Sequence, residues 1–177
     1  MNLTRRIKAL DLVIAALAIL FLGASSISHA GPLDNYGENK VLDALMRGQA
    51  IGTPANWYLG LNTDTCTEGA AGTEVSTSST GYARQAVAAS LAAWAGTQGA
   101  GTTVASTGTG GSTSNNATIS FGPSTAAWGT IQSITFNDAA SAGNRWICIN
   151  LSASIPVSAS GYTITFTAGQ LQFQIDN

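Results

Sequence analysis

The hydrophobic and polar positions change period once along the chain. In PLDNYGENKVLDALMRGQA, Val41, Leu42, Leu45 and Met46 recur at helical spacing on one face. Asp34 or Asn35 serves as N-cap, Glu38 lies in the first turn where negative charge suits the helix dipole, and Gly48 after Arg47 stops the helix. From Trp57 onward the period is two. WYLGL, NATISFG, WGTIQSITF, RWICINL and YTITFT are short β-branched or aromatic runs separated by Gly, Ser and Asn turns. LQFQID alternates plainly, with Leu171, Phe173 and Ile175 on one face and Gln172, Gln174 and Asp176 on the other. GYARQAVAASLAAWAG is ambiguous: its alanines favour a helix, but loops rich in Ser, Thr and Gly flank it inside a β region. It reads as a strand from residue 82 to about 91. Residues 96–116 are of low complexity and read as a long exposed loop.

These elements predict a mainly β chain: an antiparallel β-sandwich, jelly-roll-like, preceded by one short α-helix and a signal-like apolar segment. Three parts follow: residues 1–30, a helix and linker over 31–56, and the sandwich over 57–177. The first part opens with Arg5, Arg6 and Lys8, runs apolar from Leu12 to Leu22, and ends in Ser28-His29-Ala30. That order is a secretory signal peptide, cut after Ala30. The alternatives are a retained membrane anchor and an extension upstream of the true start. The apolar run is about half the roughly 20 residues that a spanning helix needs.

Composition then narrows the chemistry. Charged residues make up 9% of the 177 and hydrophobic residues 45%, so Gly, Ala, Ser and Thr fill the place of the usual charges. The net charge is −2 with no basic block, which removes the footprint of a nucleic-acid binder. Beyond residue 30 there are four bases, eight acids and no histidine, because His29 is the only one. Ser–His and Cys–His pairs are therefore unavailable there, as are His-ligated metal sites. GTGTGGSTS has glycines but no lysine and no apolar helix behind it, so it is no phosphate cradle. A carboxylate pair for glycoside hydrolysis would come from Asp64, Glu68, Glu74, Asp138 and Asp176, each at a turn or chain end where acids are ordinarily just solvated. The DTCTE loop brings two carboxylates, too few for the six or more oxygens of calcium. No catalytic residue, cofactor or metal ligand is assigned.

Two cysteines allow one disulfide, Cys66 with Cys148, if the chain is exported. Closing 82 positions would stabilise the fold by about 4 kcal/mol on the chain-entropy view. The other reading is two buried thiols. Trp57, Trp94, Trp128 and Trp146 could form a sugar platform, but tryptophans within strand patterns more often pack in a core or interface. Trp57, Tyr82, Trp128 and Trp146 are assigned to packing or an interface. In the hairpin AAWGTIQSITFNDAASAGNRWICINL, alternation puts Trp128, Thr130 and Gln132 on one face. It sets Trp146 and Cys148 on the returning strand as cross-strand partners, and leaves the turn 137–144 as an architectural surface loop.

Four segments occur in order: DNYGENKVLDALMRG, NWYLGLNTD with GTEVSTSSTGYARQAV, ATISFGPSTAAWGTIQSITFNDAASAGNRW, and TITFTAGQLQFQID. Together, from about residue 34 to 176, they resemble a family of small tailed-phage structural proteins of tail-fibre-like or head-decoration type. The leader and the cysteine pair are departures from that family's pattern. The resemblance implies a non-enzymatic virion protein that partners other capsid or tail proteins and copies of itself. The charge pattern leaves no nucleic-acid partner, and the leader allows membrane contact only in passing through residues 1–30, if at all. The alternative is an exported, secreted or periplasmic β-sandwich adhesin or carbohydrate-binding protein.

Overall fold

The computed structural model describes residues 33–70 and 72–175. The signal-like segment and Asp176 lie outside the described residues. The described chain is mainly β with one helix, α1 (Asn35–Arg47). Its strands are β1 (Asn56–Asn62), β2 (Gln85–Ala88), β3 (Ser112–Ser114), β4 (Ile119–Phe121), β5 (Gly129–Asn137), β6 (Arg145–Val157), β7 (Ile164–Phe166) and β8 (Gln172–Gln174). One four-stranded sheet has the order β2-β1-β5-β6, and two ribbons pair β3 with β8 and β4 with β7. Every pairing is antiparallel. Since β5 and β6 also form a hairpin, the pairs 3–8, 4–7 and 5–6 are nested in sequence, which is the jelly-roll-like feature of the fold.

Register gives the large sheet two different faces. Leu59 opposes Phe136, Leu61 opposes Ile134, and these in turn oppose Ile147 and Ile149. That face joins Phe121, Ile164, Phe166 and Leu171 of the ribbon region in one buried cluster. On the other face Gly60 opposes Thr135 and Asn62 opposes Ser133, with Cys148 and Asn150 beyond. Asn62, Ser133, Thr135 and Asn137 are all buried, so this face is polar yet dry. Its groups are satisfied by the segment after β1. Gln132 Nε2 donates to the Thr63 carbonyl at 2.7 Å, Ser133 Oγ to the Asp64 carbonyl at 2.8 Å, and Asn150 Nδ2 to the Cys66 carbonyl at 3.0 Å.

Asp34 is the N-cap of α1, its carboxylate accepting from the Asn35 N–H, and Gly48 closes the helix at φ 66°. The helix docks by its first turn. A Cβ on Gly37 would lie 2.6 Å from the Trp146 carbonyl oxygen, so only glycine allows that approach. Tyr36 meets the Trp146 ring edge-on at 5.2 Å. The apolar stripe along the helix is largely open: Leu42, Leu45 and Met46 are 58%, 75% and 79% exposed. No helix among the described residues is long and apolar enough to cross a membrane.

Other expectations need correction. The strand expected over 82 to about 91 is confined to β2, because Arg84 turns into an ion pair and the alanines after residue 88 form turns. The loop 96–116 is not wholly exposed: β3 pairs with β8, and Asn115 is fully buried. Ile175 is 65% exposed while Leu171 is buried, since β8 ends at Gln174. β6 runs on past residue 151 to Val157, with residues 151–154 looping out of register opposite Gln132. Trp128 and Trp146 are not cross-strand partners. Gly129 opposes Val157 and Asn137 opposes Arg145, so the two rings stand at opposite ends of the hairpin.

Candidate functional site

Two side-chain clasps organise the polar face, and both join segments distant in sequence. The first centres on Glu74. Its Oε1 accepts from the Tyr82 hydroxyl and from Arg84 Nε, each at 2.8 Å, and its Oε2 accepts from Arg84 Nη2 at 2.7 Å. The pairing is the two-pronged form that a planar guanidinium favours. Arg84 Nη1 also donates to the carbonyls of Ala139 and Ala142, both at 2.8 Å. Tyr82 Oη meanwhile accepts the Leu61 N–H at 2.8 Å. One guanidinium therefore fixes the β5–β6 turn to the strand β1. A Cβ on Gly60 would lie 2.9 Å from both Glu74 Oε1 and Thr135 Oγ1, so the clasp needs a bare backbone beneath it. Burial pushes the Tyr82 phenol far above its ordinary range, and the Glu74 carboxylate raises Arg84 further still. Both groups keep one protonation state through the ordinary pH range.

The second clasp centres on Asp34 and Arg145. Arg145 Nε donates to Asp34 Oδ2 at 2.6 Å, and its Nη2 donates to the Thr67 carbonyl at 3.0 Å. Asp34 Oδ1 also accepts the Gly69 N–H at 2.9 Å. Burial opposes the charge on Asp34, but Arg145 and the two backbone N–H groups outweigh it and hold the carboxyl below its ordinary value. Cys66 and Cys148 are bonded as a disulfide with Cα atoms 6.2 Å apart. Bridge, ion pair and Asn150 thus fasten the same loop to β6.

The four packing residues named from sequence fall into two groups. Tyr82 and Trp128 pack edge to face at 5.6 Å, and Trp128 Nε1 donates to the Thr80 carbonyl at 2.8 Å. Trp57 and Trp146 meet at 5.4 Å. Tyr82, Trp128 and Trp146 are buried and Trp57 is half-buried. Trp94 is tilted against Phe136 at 5.3 Å, the ring that Trp57 also meets edge-on at 6.4 Å, and its Nε1 donates to the Ala88 carbonyl. These tryptophans form no common exposed platform.

Of the candidate carboxylates, Asp64 and Asp138, like Glu74, are held as acceptors. Asp64 takes the N–H and hydroxyl of Thr73, which lower its pKa. Asp138 takes the backbone and side-chain N–H groups of Asn144 and the Trp146 Nε1. Burial raises its pKa, and these bonds more than offset that. Among the described residues no group of three or more His, Cys, Asp or Glu is placed to hold a metal.

Asn115 was not legible beforehand. Its Oδ1 accepts the Leu171 N–H at 2.9 Å and its Nδ2 donates to the carbonyls of Ala117 and Thr167. The doubled Asn after a run of Ser, Thr and Gly was its one signal, and low complexity masked it.

Residues 32–174 match a protein family described as Podophage GP4 fiber I protein gp80. The chain belongs to that family. No curated protein matches it. Membership makes it a phage virion structural protein, and gives the clasps a context. The family-like stretches GTEV, GYAR and the NDAASAGN turn supply Glu74, then Tyr82 and Arg84, then the carbonyls of Ala139 and Ala142. In this gp80-family chain, motifs spread over some seventy positions meet at one guanidinium.

Proposed function

We propose that the protein is a non-enzymatic component of a phage tail fibre, working as a rigid β unit in contact with other virion proteins. Membership of the fibre family across residues 32–174 carries the reading. The site geometry supports it. The charged groups are tied into the fold: Glu74, Arg84, Asp34 and Arg145 bind one another or turn carbonyls. Such a network resists deformation of the sheet and serves load better than turnover.

Peptide mass spectrometry of purified particles, with immunogold labelling of intact virions, tests it. The expected result is stoichiometric protein in particles and label on the tail. Label on the head would make it a decoration protein, and absence from particles would overturn the reading.

A further inference from the structure

The disulfide belongs to a closed ring of contacts at the head of α1. On β6, Arg145, Trp146 and Cys148 each hold a different piece of chain. Arg145 Nε donates to the Asp34 carboxylate at 2.6 Å, and its Nη1 and Nη2 donate to the carbonyls of Ala70 and Thr67. The Trp146 carbonyl accepts the Asp34 N–H at 2.8 Å. Cys148 is bonded to Cys66. From Cys66 the chain runs on through exposed residues 67–70, and the Gly69 N–H returns to Asp34 Oδ1 at 2.9 Å. Asp34 is the N-cap of α1. The loop that carries Cys66 therefore also holds the cap by which the helix sits on β6.

We propose that the Cys66–Cys148 bridge is a redox latch on the seating of α1. It is open while the chain is in the reducing interior of a cell, and outside it closes and locks the first turn of the helix onto β6. The coupling follows from tethering. With the bridge closed, Thr67, Gly69 and Ala70 stay within four residues of a covalent anchor, so their backbone groups meet Asp34 and Arg145 at high effective concentration. With it open, Cys66 is held to β6 through Asn150, whose Oδ1 accepts the Cys66 N–H at 2.9 Å and whose Nδ2 donates to the Cys66 carbonyl at 3.0 Å. Asn150 is exposed, so water competes for both bonds. A loop that leaves takes one donor from Asp34 and two carbonyls from Arg145, and the first turn of α1 then rests less firmly on Trp146. By reciprocity, whatever unseats α1 makes the bridge easier to open by the same factor.

The chemistry is thiol–disulfide exchange. A thiolate attacks the sulfur of Cys148, which is half-buried where Cys66 is 4% exposed, and Cys66 leaves as a thiolate. A second thiol attacks the mixed disulfide and releases Cys148. The protein gains two electrons and two protons, and the two attacking thiols leave as a disulfide. Closure is the reverse, with a small-molecule disulfide as oxidant. The timing rests on the virion reading, since such a chain is made in a reducing cytosol and works at the oxidising surface of a particle.

The first arm of the test equilibrates the full chain with mixtures of reduced and oxidised glutathione and reads the bridged fraction by non-reducing peptide mapping. Gly37→Ala drives a Cβ to 2.6 Å from the Trp146 carbonyl oxygen and disturbs the seat without touching the loop. Asp34→Asn removes the charge that joins the loop, Arg145 and the cap. Each should make the bridge at least about fivefold easier to reduce, whereas Leu45→Ala on the open stripe should stay within about twofold of the unaltered chain. Values within about twofold for both Gly37→Ala and Asp34→Asn overturn the proposal. The second arm needs no variant. Alkylation with N-ethylmaleimide inside producing cells should label both Cys66 and Cys148, and released particles should carry the bridge. A bridge already closed inside cells, or free thiols in particles, overturns the latch. The first arm involves no particle, so absence of the protein from particles overturns the fibre reading and the timing, while the coupling is decided by the glutathione equilibrium alone.

Discussion

Replacing Arg84 with alanine is the sharpest test of the account of the polar face. The guanidinium donates four hydrogen bonds, two to Glu74 and one each to the carbonyls of Ala139 and Ala142. Its side chain is 11% exposed and that of Glu74 is 31% exposed. Removing one partner of a fully buried pair costs about 3–5 kcal/mol, mostly through the charge left behind. Water reaches Glu74 partly and can solvate the two turn carbonyls, which brings the expected loss to about 2–4 kcal/mol. For a domain of this size that lowers the melting temperature by about 4–16 °C. Urea denaturation should show a lower midpoint with an unchanged slope, and hydrogen exchange should quicken first in the turn 138–144. Arg84→Lys keeps the charge but not the fork, and should recover less than half of the loss. A double-mutant cycle with Glu74→Ala should return a coupling of about 1–3 kcal/mol. If Arg84→Ala costs under about 0.5 kcal/mol, in the range of an ordinary surface change, the clasp is ornamental and the reasoning fails.

Trp128→Ala should cost about 3–5 kcal/mol by chemical denaturation, because it empties a buried site and removes one of the two hydrogen bonds to the Thr80 carbonyl, whereas Leu45→Ala on the open face of α1 should stay within about 0.5 kcal/mol. Reducing the Cys66–Cys148 bridge should lower stability by about 4 kcal/mol, read as a denaturation-midpoint shift between reduced and oxidised protein. Folding lowers the Asp34 pKa, so its contribution is whole above the unfolded carboxyl value of about 3.9 and is lost as pH falls through the lower folded value. Stability measured from pH 6 down to 2 should therefore fall below about pH 4, and less steeply in Asp34→Asn.

Element type was legible wherever large apolar residues alternate with small or polar ones, or caps bracket a run. β1 and the α1 caps are read correctly from period and punctuation alone, because Leu59 and Leu61 alternate against Gly60 and Asp34 precedes a run closed by Gly48. The errors share a cause in long-range pairing. β3 is three residues of Ser and Thr with no apolar signal of its own, and it exists because β8 lies beside it. The helix stripe was visible, but its orientation was not. That depends on Gly37 meeting the Trp146 carbonyl more than a hundred positions away.

The same reasoning explains why the polar network stayed hidden while its motifs were in plain view. Glu74 and Asp138 were legible only as turn acids, since nothing local distinguishes a solvated carboxylate from one that receives a guanidinium or an indole N–H. With so few charges in the chain, Arg84 and Arg145 are two of the four bases beyond residue 30, and each holds an acid and backbone carbonyls together. A surface made mainly of Ser, Thr, Gly and Ala has no ion pairs to spare for ornament. The scarcity of charge is itself the signal that the remaining charges have structural work. Each base outside α1 and its immediate neighbourhood should then be less tolerant of substitution than the usual surface residue. Arg47, whose pairing with Asp43 is exposed on the helix, provides the contrast within the same molecule: an exposed i,i+4 pair contributes only about 0.3–0.5 kcal/mol.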